Sequence, residues 1–202
     1  MRIYILSILT SIFLISCKTD PNKQVEEGTV QEDIYHSKEI GWTIEIPKGW
    51  NVTQKEIVKE RENKGLKAIN EANGIDYDAS GLKQLISFQK DRFHIFQSSS
   101  EKFELEYEGE YEENKKMVKE MLYEMYATRG IKVDTISSKE KIDNLEFDLF
   151  HITIYGPKGD VILYQDLYCR YINGFDFGVN LNYVNENEKT ELMKVWKNSK
   201  FE

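Results

Sequence analysis

Apolar and polar positions alternate along several stretches of this chain, and the period changes from two to nearly four as it proceeds. Ile40, Trp42, Ile44 and Ile46 fall on every second position with Gly41, Thr43 and Glu45 between them. That spacing predicts a half-buried strand stopped by Pro47. Trp50 and Val52 form a second short apolar stretch. Thr53-Gln54-Lys55-Glu56 has the spacing of a capping box and predicts a helix start there. Gly65 predicts a break, after which Leu66 and Ile69 carry the helical pattern to the stop signal Asn73-Gly74. Two short strands are expected between Leu82 and Gln97, around Lys90-Asp91-Arg92. Met117, Met121, Leu122, Met125 and Tyr126 recur at helical spacing and predict a second helix from Glu112 to Arg129, ended by Gly130.

The last third carries the strongest pattern. Three strands, Leu145–Tyr155, Asp160–Ile172 and Phe175–Val184, are joined by Gly156-Pro157-Lys158-Gly159 and by Asn173-Gly174. Leu192, Val195 and Trp196 then mark a short amphipathic helix. The order strand, helix, hairpin, helix, three-strand meander, helix predicts an α+β fold, an antiparallel sheet packed with helices.

Register can be argued for the final hairpin. A three-residue loop Ile172-Asn173-Gly174 pairs Cys169 with Phe177, Leu167 with Val179 and Arg170 with Asp176. A two-residue loop flips one strand and mixes Asp176, Asn180 and Asn182 with core side chains, so burial favours the longer loop. That choice collects His151, Tyr164, Asp166, Tyr168, Arg170, Asp176, Asn180 and Asn182 on one polar face. Tyrosine and arginine among short polar groups are the composition of a binding face. Leu167, Cys169 and Phe177 are expected on the opposite, buried face.

The chain begins with Arg2 and an apolar run from Ile3 to Ile15, broken only by Ser7, Thr10 and Ser11. The run is too short for a bilayer core, which needs about 20 residues, and has the form of a secretory signal peptide over residues 1–16. Leu14-Ile15-Ser16-Cys17 resembles the lipobox of bacterial lipoproteins. The resemblance implies acylation at Cys17 and a membrane held through N-terminal acyl chains. It places the protein in the cell envelope, with the outer membrane favoured. Residues 17–37 are polar and without periodicity, and read as a flexible tether; residues 38–202 are the folded domain.

Lys and Arg number 27 against 35 Asp and Glu, a net charge of −8. With no basic run longer than Lys115-Lys116, the chain is not expected to bind nucleic acid. Cys17 and Cys169 are the two cysteines, too few for a disulfide framework once Cys17 is lipidated. His36, His94 and His151 lie apart with no partner at ligand spacing, so no metal is expected. The acidic stretch Glu104–Glu113 lacks the pattern of a calcium loop. Gly156 and Gly159 sit between two strands rather than before a helix, which excludes a phosphate loop. No catalytic motif and no cofactor signature occur.

Gly41-Trp42-Thr43-Ile44-Glu45-Ile46-Pro47-Lys48-Gly49-Trp50 resembles the opening strand of the PsbP-like superfamily, and the closing helix with Ser199-Lys200-Phe201 resembles its end. The resemblance implies an αβα sandwich and a non-catalytic role in binding or assembly, and it transfers no site residues. The expectation is a lipid-anchored envelope protein that binds an unidentified envelope protein. A small-ligand carrier with a sheet pocket, or a hydrolase with an unrecognised site, are the alternatives. A carrier requires a cavity, an assembly factor a full core, and an enzyme converging titratable groups.

Overall fold

A computed structural model describes residues 20–202. The expected signal peptide and Cys17 lie outside the described residues. The remainder is an α+β fold of two antiparallel sheets and three α-helices. The larger sheet has seven strands in the order β4 (Asn51–Val52), β5 (Leu82–Gln89), β6 (Ile95–Lys102), β10 (Phe175–Tyr183), β9 (Val161–Ile172), β8 (Leu145–Tyr155) and β7 (Val133–Ile142). The smaller has β1 (Thr29–Gln31), β2 (Ile34–Ser37), β3 (Trp42–Glu45) and β11 (Lys200–Phe201).

Helix α3 (Glu186–Lys197) and the small sheet cover one face of the large sheet. Trp42, Phe96, Phe177 and Trp196 meet there, each fully buried. Helices α1 (Lys55–Asn73) and α2 (Glu110–Thr128) lie over the other face. Leu122 and Tyr126 of α2, together with Leu163 and Leu167 of β9, pack on Phe150, Ile152 and Ile154 of β8.

Four local expectations are corrected. The stretch expected as a tether is folded from residue 20 onward, through a 3₁₀ turn at Pro21–Lys23 and strands β1 and β2. Val30 and Tyr35 explain this, because both insert into the aromatic core. The capping box does not form: Gln54 is the N-cap residue, and the Thr53 hydroxyl instead accepts a hydrogen bond from Ser87 at 3.2 Å. Helix α1 runs unbroken through Gly65 and ends at Gly74, whose φ of 64° suits glycine. Strand β7 was not anticipated, since most of its side chains are exposed and no apolar alternation marks it. Its ladder to β8, made through the left-handed turn residues Asp143 and Asn144, holds it in place.

The register of the final hairpin is the largest correction. Asn173 and Gly174 both have positive φ, 53° and 85°, the geometry of a two-residue turn. Strand β10 therefore pairs Phe175 with Ile172, Phe177 with Arg170, and Val179 with Tyr168, one residue away from the expected alignment. The burial argument failed because the supposed solvent face is covered by α3, and the buried polar groups on it find partners.

Candidate functional site

The one-residue shift splits the eight residues expected on a single polar face. His151, Tyr164, Asp166, Tyr168 and Arg170 share the face under α3, while Asp176, Asn180 and Asn182 point to the helix-pair side. Asp166 is buried and accepts a hydrogen bond from the Tyr183 hydroxyl at 3.0 Å. His151 Nδ1 lies 2.6 Å from the other Asp166 oxygen, and its Nε2 is 3.1 Å from the Thr153 hydroxyl. Tyr164 stacks between His151 and Tyr183. Tyr168, only 2% exposed, packs on Trp196 and donates its hydroxyl to Glu140. Burial first, and then the nearby Glu140 carboxylate, push the Tyr168 hydroxyl far above its ordinary pKa. Arg170 donates to the Glu146 carbonyl. This cluster is a satisfied polar network inside a core, not an open binding face.

The opposite face is arranged differently. Under α2, strands β8 and β9 present apolar side chains and the packing is closed. Under α1, strands β5, β6 and β10 present Gln84, Gln97, Ser99 and Asn180, and the helix does not settle onto them. Helix α1 packs chiefly along α2, where Asn73 donates to the Met121 carbonyl at 3.2 Å. It is tied to the sheet edge by Arg61, which donates to Gln89 at 2.7 Å, and by the ion pair Lys55–Glu26 at 2.8 Å. Between the helices and the polar strands lies a cleft of about 1200 Å³.

The floor of that cleft is a row of neutral hydrogen-bonding groups. Gln84 is 5% exposed, yet among the described residues neither its side-chain amide nitrogen nor its amide oxygen has a partner, and Asn180 Oδ1 is likewise unpaired. Such groups cost about 1–3 kcal/mol each when dry, so they call for an occupant that hydrogen-bonds. The walls carry an apolar stripe, Leu66 and Ile69 from α1 with Met117, Val118 and Met121 from α2, flanked by the polar Lys59, Asn63 and Asn114. Glu62 of α1 lines the cleft with a buried, unpaired Oε1. Burial first, and then repulsion from Glu26, raise its carboxyl to about 7. A smaller recess of about 230 Å³ continues past Gln97 and Asn180 to Cys169 and Asp176. Burial pushes the Cys169 thiol up to about 11, which leaves it protonated and a poor nucleophile.

Asp91, His94 and Glu188 also converge, their ligand atoms within 4.8 Å of one another. Each carboxylate is already employed: Asp91 accepts from the backbone of Phe93 and His94 at 2.9 and 3.0 Å. Glu188 accepts from Val184 N at 2.9 Å and Asn185 Nδ2 at 3.0 Å. His94 Nε2 lies 3.0 Å from the Glu188 carbonyl. The group is accounted for as loop and helix-start chemistry.

The architecture matches a solved fold. The solution structure of cyanobacterial PsbP (CyanoP) from Synechocystis sp. PCC 6803 superposes with a TM-score of 0.53 at 11% identity. The match covers 87% of this chain and 96% of that one. The fold is PsbP-like. No protein-family model and no curated protein matches the sequence. Within this PsbP-like fold, sequence reasoning missed Gln84, Gln97 and Ser99. The available signal was Gln97-Ser98-Ser99-Ser100, polar on both faces of a strand that lies between two others.

Proposed function

We propose that this chain is a lipid-anchored, non-catalytic protein of the bacterial cell envelope whose PsbP-like domain holds a protein partner in the cleft beneath α1 and α2. Anchoring rests on the lipobox-like Leu14-Ile15-Ser16-Cys17. Two or three acyl chains, at about 0.8 kcal/mol per buried methylene, suffice for stable membrane attachment. The observation that carries the binding role is Gln84, buried in a large cleft with both ends of its amide unpaired. Folded proteins rarely leave such groups idle, and a partner supplies what water otherwise must.

Two experiments test the reading. Cys17→Ser should abolish uptake of labelled palmitate and release the protein from membranes; a variant that still sediments with acyl label contradicts the anchor. Cross-linking in intact cells should then capture an envelope protein with the native chain and with Ile136→Glu, a change on the far edge. Val118→Glu, at the cleft mouth, should lose it. Equal capture by all three contradicts the cleft. The cleft's volume also favours a small-ligand carrier, which native mass spectrometry would reveal as a bound small molecule surviving purification.

A further inference from the structure

The chemistry of the cleft narrows what fills it. Gln84 and Gln97 each offer two donors and an acceptor, and Asn180 adds an unpaired acceptor, all on adjacent antiparallel strands. Gln97 lies directly opposite Asn180, and Gln84 lies opposite Ser99, two residues along from Gln97. With strands roughly 5 Å apart, the three amides form a short diagonal row of neutral groups. The floor groups Gln84, Gln97, Ser99 and Asn180 carry no formal charge. Around them Lys55 and Lys83 are paired with Glu26 and Glu39, and Lys59, Glu62, Asp76 and Asp78 line the rest of the cleft with both signs of charge. A charged ligand group set against that floor would shed its hydration with no counter-charge beside it, which is unfavourable. The opposing wall is aliphatic and thioether, with Met117 about half exposed. Methionine and aliphatic groups accommodate varied side chains, whereas sugar rings are held best against aromatic faces. Tyr77 at the rim is the one aromatic side chain among the lining residues.

A row of side-chain amides facing an adaptable apolar wall complements one common object, a peptide backbone with its side chains. Building on the reading of the cleft as the binding site, we infer that it takes an extended, uncharged stretch of polypeptide. The backbone amides of that stretch pair with Gln84, Gln97 and Asn180, and its alternate side chains lie on Leu66, Met117 and Met121. Recognition of this kind uses main-chain hydrogen bonds for affinity and apolar contacts for selection.

The test is titration of the folded domain with a pool of end-capped, uncharged short peptides of Ala, Ser, Thr, Val, Leu and Gln, and in parallel with chitotetraose. The nitrogen-15 spectrum reports the side-chain amides directly. The peptide pool should move the Gln84, Gln97 and Asn180 signals saturably, and chitotetraose should leave them unmoved. Gln84→Leu should weaken the peptide response by roughly tenfold, the loss expected for one buried hydrogen-bonding group. Val118→Glu should do the same without touching the floor, so the outcome does not hang on one variant's folding. Signals that respond to chitotetraose, to neither probe, or to peptides equally in both variants overturn the peptide assignment. If peptides fail while Val118→Glu still abolishes cross-linking to the envelope partner, the peptide class falls and the cleft stands. If Val118→Glu leaves cross-linking intact as well, both fall.

Discussion

The face of the seven-stranded sheet under α3 and the part of the opposite face under α1 are made by alternate residues of the same strands, yet they reached opposite ends of the packing range. Beneath α3 and the small sheet, Trp42 and Phe177 centre their rings 5.0 Å apart, and Phe147 and Trp196 5.2 Å apart. Asp166 and Tyr168 are hydrogen-bonded there. The buried groups left without a partner on that side, among the described residues, are the Trp42 and Trp196 indole nitrogens and the Ser100 and Ser199 hydroxyls, packed in a closed aromatic core with no space beside them for a ligand. Beneath α1, one residue along the same strands, Gln84 and Asn180 have groups with no partner and the helix stands away. The difference lies in the covering element rather than in the sheet. Helix α3 presents Leu192 and Trp196 squarely to the strands, whereas α1 buries only Val58 and Ala68 and leans on α2. A sheet face stays open where its own side chains are polar and its cover is anchored elsewhere.

That contrast can be broken by mutation. Phe177→Ala on the filled side should cost about 3–5 kcal/mol in urea unfolding, the range for truncating a buried aromatic ring. A cost below 1 kcal/mol would mean that the side is not closely packed. Asp166→Ala should cost about 1–3 kcal/mol, because it strands the Tyr183 hydroxyl and His151 Nδ1 without their acceptor.

The open side should respond to pH. The Glu62 carboxyl is raised to about 7 from 4.5, so its ionised form is disfavoured in the folded state. Its stabilising contribution is complete below pH 4.5 and is lost as pH rises through 7. Glu62→Gln should therefore match the native protein in thermal melts at pH 4.5 and exceed it at pH 8. Each kcal/mol recovered is worth about 2–4 °C at this size. An unchanged Tm at pH 8 would show that the carboxylate is well hydrated in the cleft. Gln84→Leu should alter stability least, by about 0.5 kcal/mol or less, if the cleft is wet as its size implies. A loss of several kcal/mol would mean that the floor is packed core like the other side.

The alternation of Ile40 to Ile46, the methionine spacing of α2, the turn residues of the β8–β9–β10 meander and the apolar stripe of α3 were legible because each is a local pattern with one period. Together they determined the fold class and its resemblance to PsbP-like proteins. Two kinds of feature were not legible. Strands β1, β2 and β7 have weak patterns and exist because a neighbour offers a hydrogen-bonded edge or a core for Val30 and Tyr35. Which side of β9 faces a core depended on one residue of loop length. Asn173-Gly174 supports a two-residue turn, and the alternative rested on the assumption that Asp166 and Tyr168 would not be buried. Both are buried, because His151, Tyr183 and Glu140, brought from other strands, satisfy them. Tertiary structure alone decided where the cleft lies. An amide on a strand carries no mark of whether water, a helix or an open space will face it, and that depends on where α1 comes to rest.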